Sequence, residues 1–412
     1  MIFRSFLLNQ ENLLNRIKVT LGIVLLVRLG NFLAIPGVDQ IYFSNELKNS
    51  ALFTTFRTLL QGDSFLLSVF TLGILPNLNA SIAIQLISSV FPPLKRLTKE
   101  GGELGQKKVT QYTRYLTALI AFQYSIVIAF AIKPYVFGWD FNRAAFIAIT
   151  LLTGSIIMLW LSEIINEKGL GNGVSVLIFV NIISAVPSAL TSFTATTSFP
   201  TKILTLLIFL LGITITVIVQ DATRQIPTIS LKGLAQESEN VKERFLAFRL
   251  NPSGIMPLIL SSSLINLLGV GLNNLKLPEF LLNFSGLVYL SGYFFLTLFF
   301  SYFYSTITLN PIELAKDLRK KGSKIPSVAP GLQTMKFLQE IITRISLLGG
   351  LFLATIVTIP SVLALTNTNL PTFPGIGGTS LIILAGVAVD LSRQIRTYSI
   401  FGSYDNIDSK DL

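Results

Sequence analysis

Side-chain chemistry needs a nucleophile, an acid–base pair or a metal cradle, and this chain lacks most of the usual parts. It contains no histidine and no cysteine. That removes Ser–His dyads, histidine and thiolate metal sites, cysteine nucleophiles and disulfides. Carboxylates and lysines remain, and few of them lie in apolar sequence. Arg28, Asp390 and Arg344 are the ionisable residues placed within or near apolar stretches, where such groups are functional candidates by default. Arg28 precedes Pro36 by about two helical turns, so snorkelling outward to water is an equal alternative for it. Asp390 offers one carboxylate beside Arg393, whereas an aspartyl intramembrane protease needs two that face each other. Gly169-Leu170-Gly171-Asn172-Gly173 has the glycine density of a phosphate cradle. It lacks the Lys-Ser/Thr of a P-loop and no strand precedes it, so a tight turn between helices is expected. No catalytic residue, cofactor or metal site is expected.

The elements that carry these residues are read from composition. Of the 412 residues, 51% are hydrophobic and only 13% are charged, with mean hydropathy +0.66. Soluble domains carry about 25% charged residues, so this composition excludes a soluble enzyme and indicates a polytopic membrane protein. Ten apolar runs of about 20 residues recur, near 17–35, 69–91, 112–132, 143–165, 173–191, 201–220, 254–271, 284–309, 341–363 and 376–396. The first is followed by Pro36-Gly37-Val38-Asp39 and not by a small-residue cleavage site. It reads as a retained span, with no transit peptide before it.

The net charge is +11, and about 25 of the 32 basic residues fall on one side of the ten runs. That side is cytosolic or stromal and holds both termini. Topology therefore accounts for the basic balance without a nucleic-acid partner. Dividing the chain into 1–195 and 196–412 gives two five-span halves whose orientations must be inverted, as in many transporters. No obvious sequence repeat links them.

Three stretches depart from ordinary spanning helix. Asn45–Leu60 is too polar to cross lipid, Gln61-Gly62-Asp63 breaks it, and Pro76, Asn77 and Asn79 interrupt the short apolar run that follows. Broken backbone at membrane depth must line a cavity or be buried in protein. This segment reads either as a re-entrant element or as an amphipathic loop on the membrane surface. The loops 221–251 and 310–340 are large and basic. In the second, Asn310-Pro311-Ile312-Glu313 marks a helix start and Pro330-Gly331 the tip of a projecting hairpin. Each loop reads as an anchor on anionic lipid or as a docking surface for an acidic or nucleic-acid partner.

Several motifs, in chain order, make the sequence similar to the SecY family of protein-conducting channels. Leu26-Val27-Arg28-Leu29-Gly30 through Asp39 resembles the family's first span. Leu72-Gly73-Ile74-Leu75-Pro76 through Ile82, with Gln85-Leu86, resembles the second. Lys108 through Tyr115, Trp160 through Gly173, the Asn310 helix start, Pro330-Gly331 with Gln333-Thr334, and Gly377-Gly378-Thr379-Ser380 follow in order. The resemblance implies an all-α fold of ten transmembrane helices, in two inverted five-helix halves around a central pore, with a re-entrant plug at 61–72. It places an aliphatic constriction at Ile74, Leu78, Ile178, Ile259 and Ile383. A narrow apolar collar resists ions by dewetting. Ile74 and Leu78 stand four apart on one helical face, in agreement.

The resemblance also implies a lateral gate between spans two and three on one side and seven and eight on the other. Its polar residues match Gln85, Gln123 and Ser262, and Asn266 shares their face by spacing. Bonding of each to its own helix backbone is the alternative. The implied partners are a SecE-like subunit, a SecG-like subunit, a SecA-type motor ATPase or a ribosome, unfolded preproteins and lipid. Docking falls to Lys316, Arg319, Lys320, Lys321, Lys324, Pro330 and Gly331. The family's usual arginine before Pro-Gly is replaced here by Ala329, which puts the usual docking in question. The implied function is passage of unfolded polypeptide with lateral release of hydrophobic segments, a secondary transporter being the alternative. The Phe-, Ile- and Asn-rich style indicates a plastid thylakoid membrane, or otherwise a bacterial plasma membrane.

Overall fold

The computed structural model describes residues 2–47, 67–91, 93–94, 97, 102–196, 199–230, 244–262, 264, 285–326, 328–366 and 378–408. They divide into two compact units, Met1–Leu190 with Asp390–Leu412, and Thr191–Val389.

The first unit contains α1 (Ile2–Asn31), α2 (Gln40–Leu47), α3 (Leu75–Val90), α4 (Gly102–Ala131), α5 (Phe141–Lys168) and most of α6 (Gly173–Thr196). Helix α1 stops at Asn31, short of the apolar run, because Pro36 disfavours helix in the residue before it and Ala34 bridges to Ser68. Residues 67–74 are not helical, so the second apolar run becomes helix only from Leu75, with Pro76 in the first turn where no N–H is missed. Helix α4 packs against both α3 and α5, and α1 against α5. At the end of the unit lies a core of Ile35, Val38, Phe43, Leu67, Leu72, Ile132, Val136 and Leu151. The close approach there depends on Gly154, where a Cβ would stand 1.9 Å from the Val69 carbonyl oxygen.

The second unit holds α7 (Phe199–Asp221), β1 (Thr223–Ser230), β2 (Arg244–Arg249), helical residues 256–262, α8 (Ser285–Thr308), α9 (Pro311–Lys320), β3 (Ser323–Lys324), α10 (Leu332–Thr366) and the start of α11 (Gly378–Asp408). The three strands form a small antiparallel sheet in the order β2-β1-β3, with Ile226 opposite Leu246 and Ile229 opposite Lys324. The two loops expected as separate basic excursions are thereby joined. One face of the sheet supplies Ile226 and Phe248 to a core with Ala315, Ile325, Leu338, Ile341 and Ile345. Helix α9 begins as its sequence requires, with the Asn310 side chain accepting from the Ile312 N–H at 3.1 Å and Pro311 following.

Helix occurs at each of the ten apolar runs, the seventh being described over 256–262 and at 264. Among the described residues, four helical stretches are long and apolar enough to cross a membrane by length and composition alone: Gly102–Ala131, Phe141–Lys168, Leu290–Lys320 and Leu332–Ile359. Their outward faces are unlike those of a soluble protein. Leu119, Phe122 and Phe130 on α4, Phe295 and Phe299 on α8, and Leu347, Leu348 and Leu351 on α10 are exposed. Such apolar surface is stable only in lipid or against another chain.

Candidate pore and lateral gate

The proposed ring residues are divided between the two units. Ile74, Leu78 and Ile178 belong to the first, Ile259 and Ile383 to the second. All five are buried, with exposure from 1% at Ile178 to 4% at Ile259 and Ile383. Ile74 occupies the N-cap position of α3 and its carbonyl accepts from the Leu78 N–H at 3.1 Å, so the two side chains follow one another on one face. Many other aliphatics are buried as well, so the ring positions fall among the interior side chains and not with exposed ones such as Leu119, Phe122 and Leu348.

Of the proposed plug, residues 67–72 are described and 61–66 lie outside the described residues. The described part is held inward: Leu67, Ser68, Phe70 and Leu72 are buried. Its backbone pairs with the chain leaving α1, the Ile35 N–H donating to the Leu67 carbonyl at 3.0 Å and the Val69 N–H to the Leu33 carbonyl at 3.1 Å. The Gln40 carboxamide adds two further bonds to Leu67. Asp39 caps the helix that carries Gln40 by accepting from the N–H groups of Ile41 and Tyr42.

The polar residues proposed for the gate take different positions. Gln85 on α3 and Gln123 on α4 are exposed. The Ser262 hydroxyl donates to the Ile259 carbonyl at 2.9 Å, bonding to its own helix. Asn266 lies outside the described residues. The bonds that do cross between helices involve residues the sequence did not single out for this role. In the first unit, Asn77 is buried in α3 and its Oδ1 accepts from Thr117 of α4 at 3.3 Å, while Asn79 Nδ2 donates to the Tyr124 hydroxyl at 3.1 Å. In the second, Thr297 of α8 donates to the Ser261 hydroxyl at 3.0 Å, and Ser253, in the turn before residues 256–262, shares a hydrogen bond with Ser301 of α8 at 3.3 Å. A polar residue inside an apolar run at i, i+4 spacing, such as Thr297 and Ser301, is the available sequence signal. Each such bond contributes about 0.6–2 kcal/mol in a membrane.

On the basic loop, Lys316, Arg319, Lys320 and Lys321 are exposed and Lys324 is half-buried in β3. The opposite face of α9 carries Leu314, Ala315 and Leu318 into the core under the sheet, so the helix presents its cations outward. Ala329 and Pro330 are exposed, and Gly331 has φ +107°, a left-handed conformation that favours glycine. The Ala329 carbonyl accepts from the Thr334 hydroxyl at 2.9 Å, which fixes the tip to the start of α10. A bidentate ion pair, Arg114 Nε to Glu163 Oε1 at 2.7 Å and NH2 to Oε2 at 3.0 Å, ties α4 to α5.

This fold is shared with solved protein-conducting channels. A solved structure of a protein conducting channel is similar with TM-score 0.68 at 15% sequence identity, over 95% of this chain and 93% of that one. The SecY family model matches residues 68–392. The protein translocase subunit SecY of Guillardia theta is 41% identical across 97% of this chain and 98% of its own length. That of Porphyra purpurea is also 41% identical, across 97% and 99%. The chain belongs to the SecY family.

Proposed function

We propose that this chain is the central channel subunit of a protein translocase, passing unfolded polypeptide across a membrane and releasing hydrophobic segments sideways into lipid. The observation that carries the reading is that all five matched ring positions, Ile74, Leu78, Ile178, Ile259 and Ile383, are at most 4% exposed, whereas other apolar side chains such as Leu119, Phe122 and Leu348 are exposed. Five aliphatic side chains kept from lipid form a collar that excludes water and ions by dewetting, yet offers a passing chain no binding site. The segment 61–72 plugs the external side of that collar at rest. Ten spans in two inverted halves, 1–195 and 196–412, surround it, with both termini cytosolic or stromal.

The gate opens between spans two and three and spans seven and eight. Gln85, Gln123, Ser262 and Asn266 line it, and the buried Asn77–Thr117 and Ser261–Thr297 bonds hold each pair of helices together as it moves. Driving force comes from a partner, a SecA-type motor ATPase or a ribosome, seated on the outward cations of α9 and the Pro330-Gly331 tip. A SecE-like small subunit, with a SecG-like one, completes the complex. The algal relatives and the Phe-, Ile- and Asn-rich sequence support a plastid thylakoid membrane. The bacterial plasma membrane is the alternative location.

The test is reconstitution of the chain with its small subunit in liposomes. A signal-bearing precursor should become protease-protected only when the motor and ATP are present. Accumulation of small solutes driven by an ion gradient, without precursor transport, contradicts the reading.

A further inference from the structure

The glycine-rich turn between α5 and α6 is not itself a phosphate cradle, because side chains already occupy its backbone donors. The Leu170 N–H donates to Thr20 Oγ1 at 2.9 Å, the Gly171 N–H to Gln394 Oε1 at 2.7 Å and the Gly173 N–H to Asn166 Oδ1 at 2.7 Å. Gly171, at φ +85°, brings the turn against α11, where a Cβ would stand 2.7 Å from Leu391 Cδ2. These bonds determine which way the two carboxamides point. With both oxygens committed to N–H donors, the NH2 groups of Gln394 and Asn166 are left without a partner among the described residues.

Gln394 and Asn166 line a cavity of about 340 Å³ together with Arg16, Thr397 and Tyr398. Arg16 donates one bond, to the Gly169 carbonyl at 3.1 Å, and its guanidinium lies 5.0 Å from the centre of the Tyr398 ring. That stacking holds the planar group in place while its remaining N–H donors stay uncommitted among the described residues. Among the described residues, no carboxylate lines the cavity. Both carboxamide oxygens are used, the carboxamide NH2 and spare guanidinium N–H groups are donors, and Arg16 supplies a positive charge. Helix α6 starts at Gly173, which adds the positive end of a helix dipole.

We propose that this cup, centred on Arg16, Gln394 and Asn166, binds a phosphate-class oxyanion. A guanidinium fork with two amide donors matches the several oxygens of such a group and rejects cations and zwitterionic ammonium. The chemistry is that of a phosphodiester of an anionic lipid head or of free phosphate. Arg16 lies at the N-terminal edge of the first apolar run, where the proposed topology puts the lipid headgroups of the cytosolic or stromal leaflet.

Two substitutions test it in the full-length chain. Arg16→Gln removes the charge. Gln394→Glu keeps an acceptor for the Gly171 N–H, so the turn is retained, but places a carboxylate in the cup. Binding is measured with inorganic phosphate by equilibrium dialysis in detergent, and with spin-labelled phosphatidylglycerol in vesicles of phosphatidylcholine alone or with added phosphatidylglycerol. The native chain should bind at least one probe above a chloride and phosphatidylcholine control, and each substitution should weaken binding roughly tenfold or more. Phosphate binding in detergent identifies a soluble oxyanion; binding of the labelled lipid only identifies a headgroup. Binding of neither probe by the native chain, or native-like binding by a folded Gln394→Glu chain, overturns the proposal.

Discussion

The carboxamide of Gln40 pairs with both backbone groups of Leu67, the Leu67 N–H donating to Oε1 at 2.8 Å and Nε2 donating to the Leu67 carbonyl at 3.3 Å. A side chain 27 residues away thus extends the short backbone pairing that holds residues 67–69 to the end of α1. Each bond contributes about 0.5–1.5 kcal/mol. Gln40→Ala should therefore speed hydrogen exchange at the Leu67 amide by about tenfold, and Gln40→Glu, which keeps the acceptor, should do so less. Peptide-resolved exchange of the reconstituted chain checks this. If the segment is the plug root, the alanine variant should also raise resting ion leakage.

Gly154 governs the other side of the same segment. A methyl there would stand 1.9 Å from the Val69 carbonyl oxygen, a backbone atom that cannot swing away. Gly154→Ala should lower stability by about 1–3 kcal/mol through overpacking. The measurement is the thermal midpoint in detergent, with Gly22→Ala, where nothing lies within 4 Å of the added carbon, as the neutral comparison.

The presence of a helix at each apolar run was the most legible part of the fold; the ends were less so, α1 running Ile2–Asn31 against 17–35 and α11 Gly378–Asp408 against 376–396. Apolar runs of membrane-spanning length fix the helices, Pro36 limits α1, and Asn310-Pro311 announces α9. The sheet was not legible. Its strands lie in a loop dominated by positive charge, with Pro227 inside β1, and proline argues against a strand unless one edge is free. The apolar alternation of Ile226 and Thr228 against Leu246 and Phe248 becomes a signal only once the strands are paired. Among site residues, the aliphatic positions could be placed only through family resemblance, since isoleucine in an apolar run carries no mark of its orientation. Asn77 and Gln40 were invisible as structural bonds because their partners, Thr117 and Leu67, lie 40 and 27 residues away.

Asn77 is buried and accepts from Thr117 at 3.3 Å, so replacing only the threonine leaves its carboxamide oxygen with the longer 3.5 Å bond from Ser81 within its own helix. Thr117→Val should loosen α3 from α4 by about 0.6–2 kcal/mol. Within the proposed gate, this should shift the hydrophobicity that a test helix needs for membrane insertion. An unchanged insertion threshold removes this pair from gating.

With alanine at 329, docking at the proposed surface would depend on the cations of α9 and Lys321. Diffuse pairing between surface charges is screened over a Debye length of about 8 Å at physiological salt. Partner binding should therefore weaken steeply as salt rises, and Lys316→Glu with Lys320→Glu and Lys321→Glu should nearly abolish it. Ala329→Arg should tighten it and lessen the salt dependence, because a guanidinium gives a bidentate contact. Motor or ribosome affinity at several ionic strengths decides the matter.

The central claim is that the buried aliphatic collar is the resting seal, and ion conductance of the purified channel in a planar bilayer tests it most directly. With the native chain, resting conductance should be near the bilayer background. Ile74→Asn combined with Ile259→Asn should raise it severalfold without substrate, because a wetted constriction passes hydrated ions. Resting conductance unchanged by the double substitution, in protein that still folds and reconstitutes, would contradict the account.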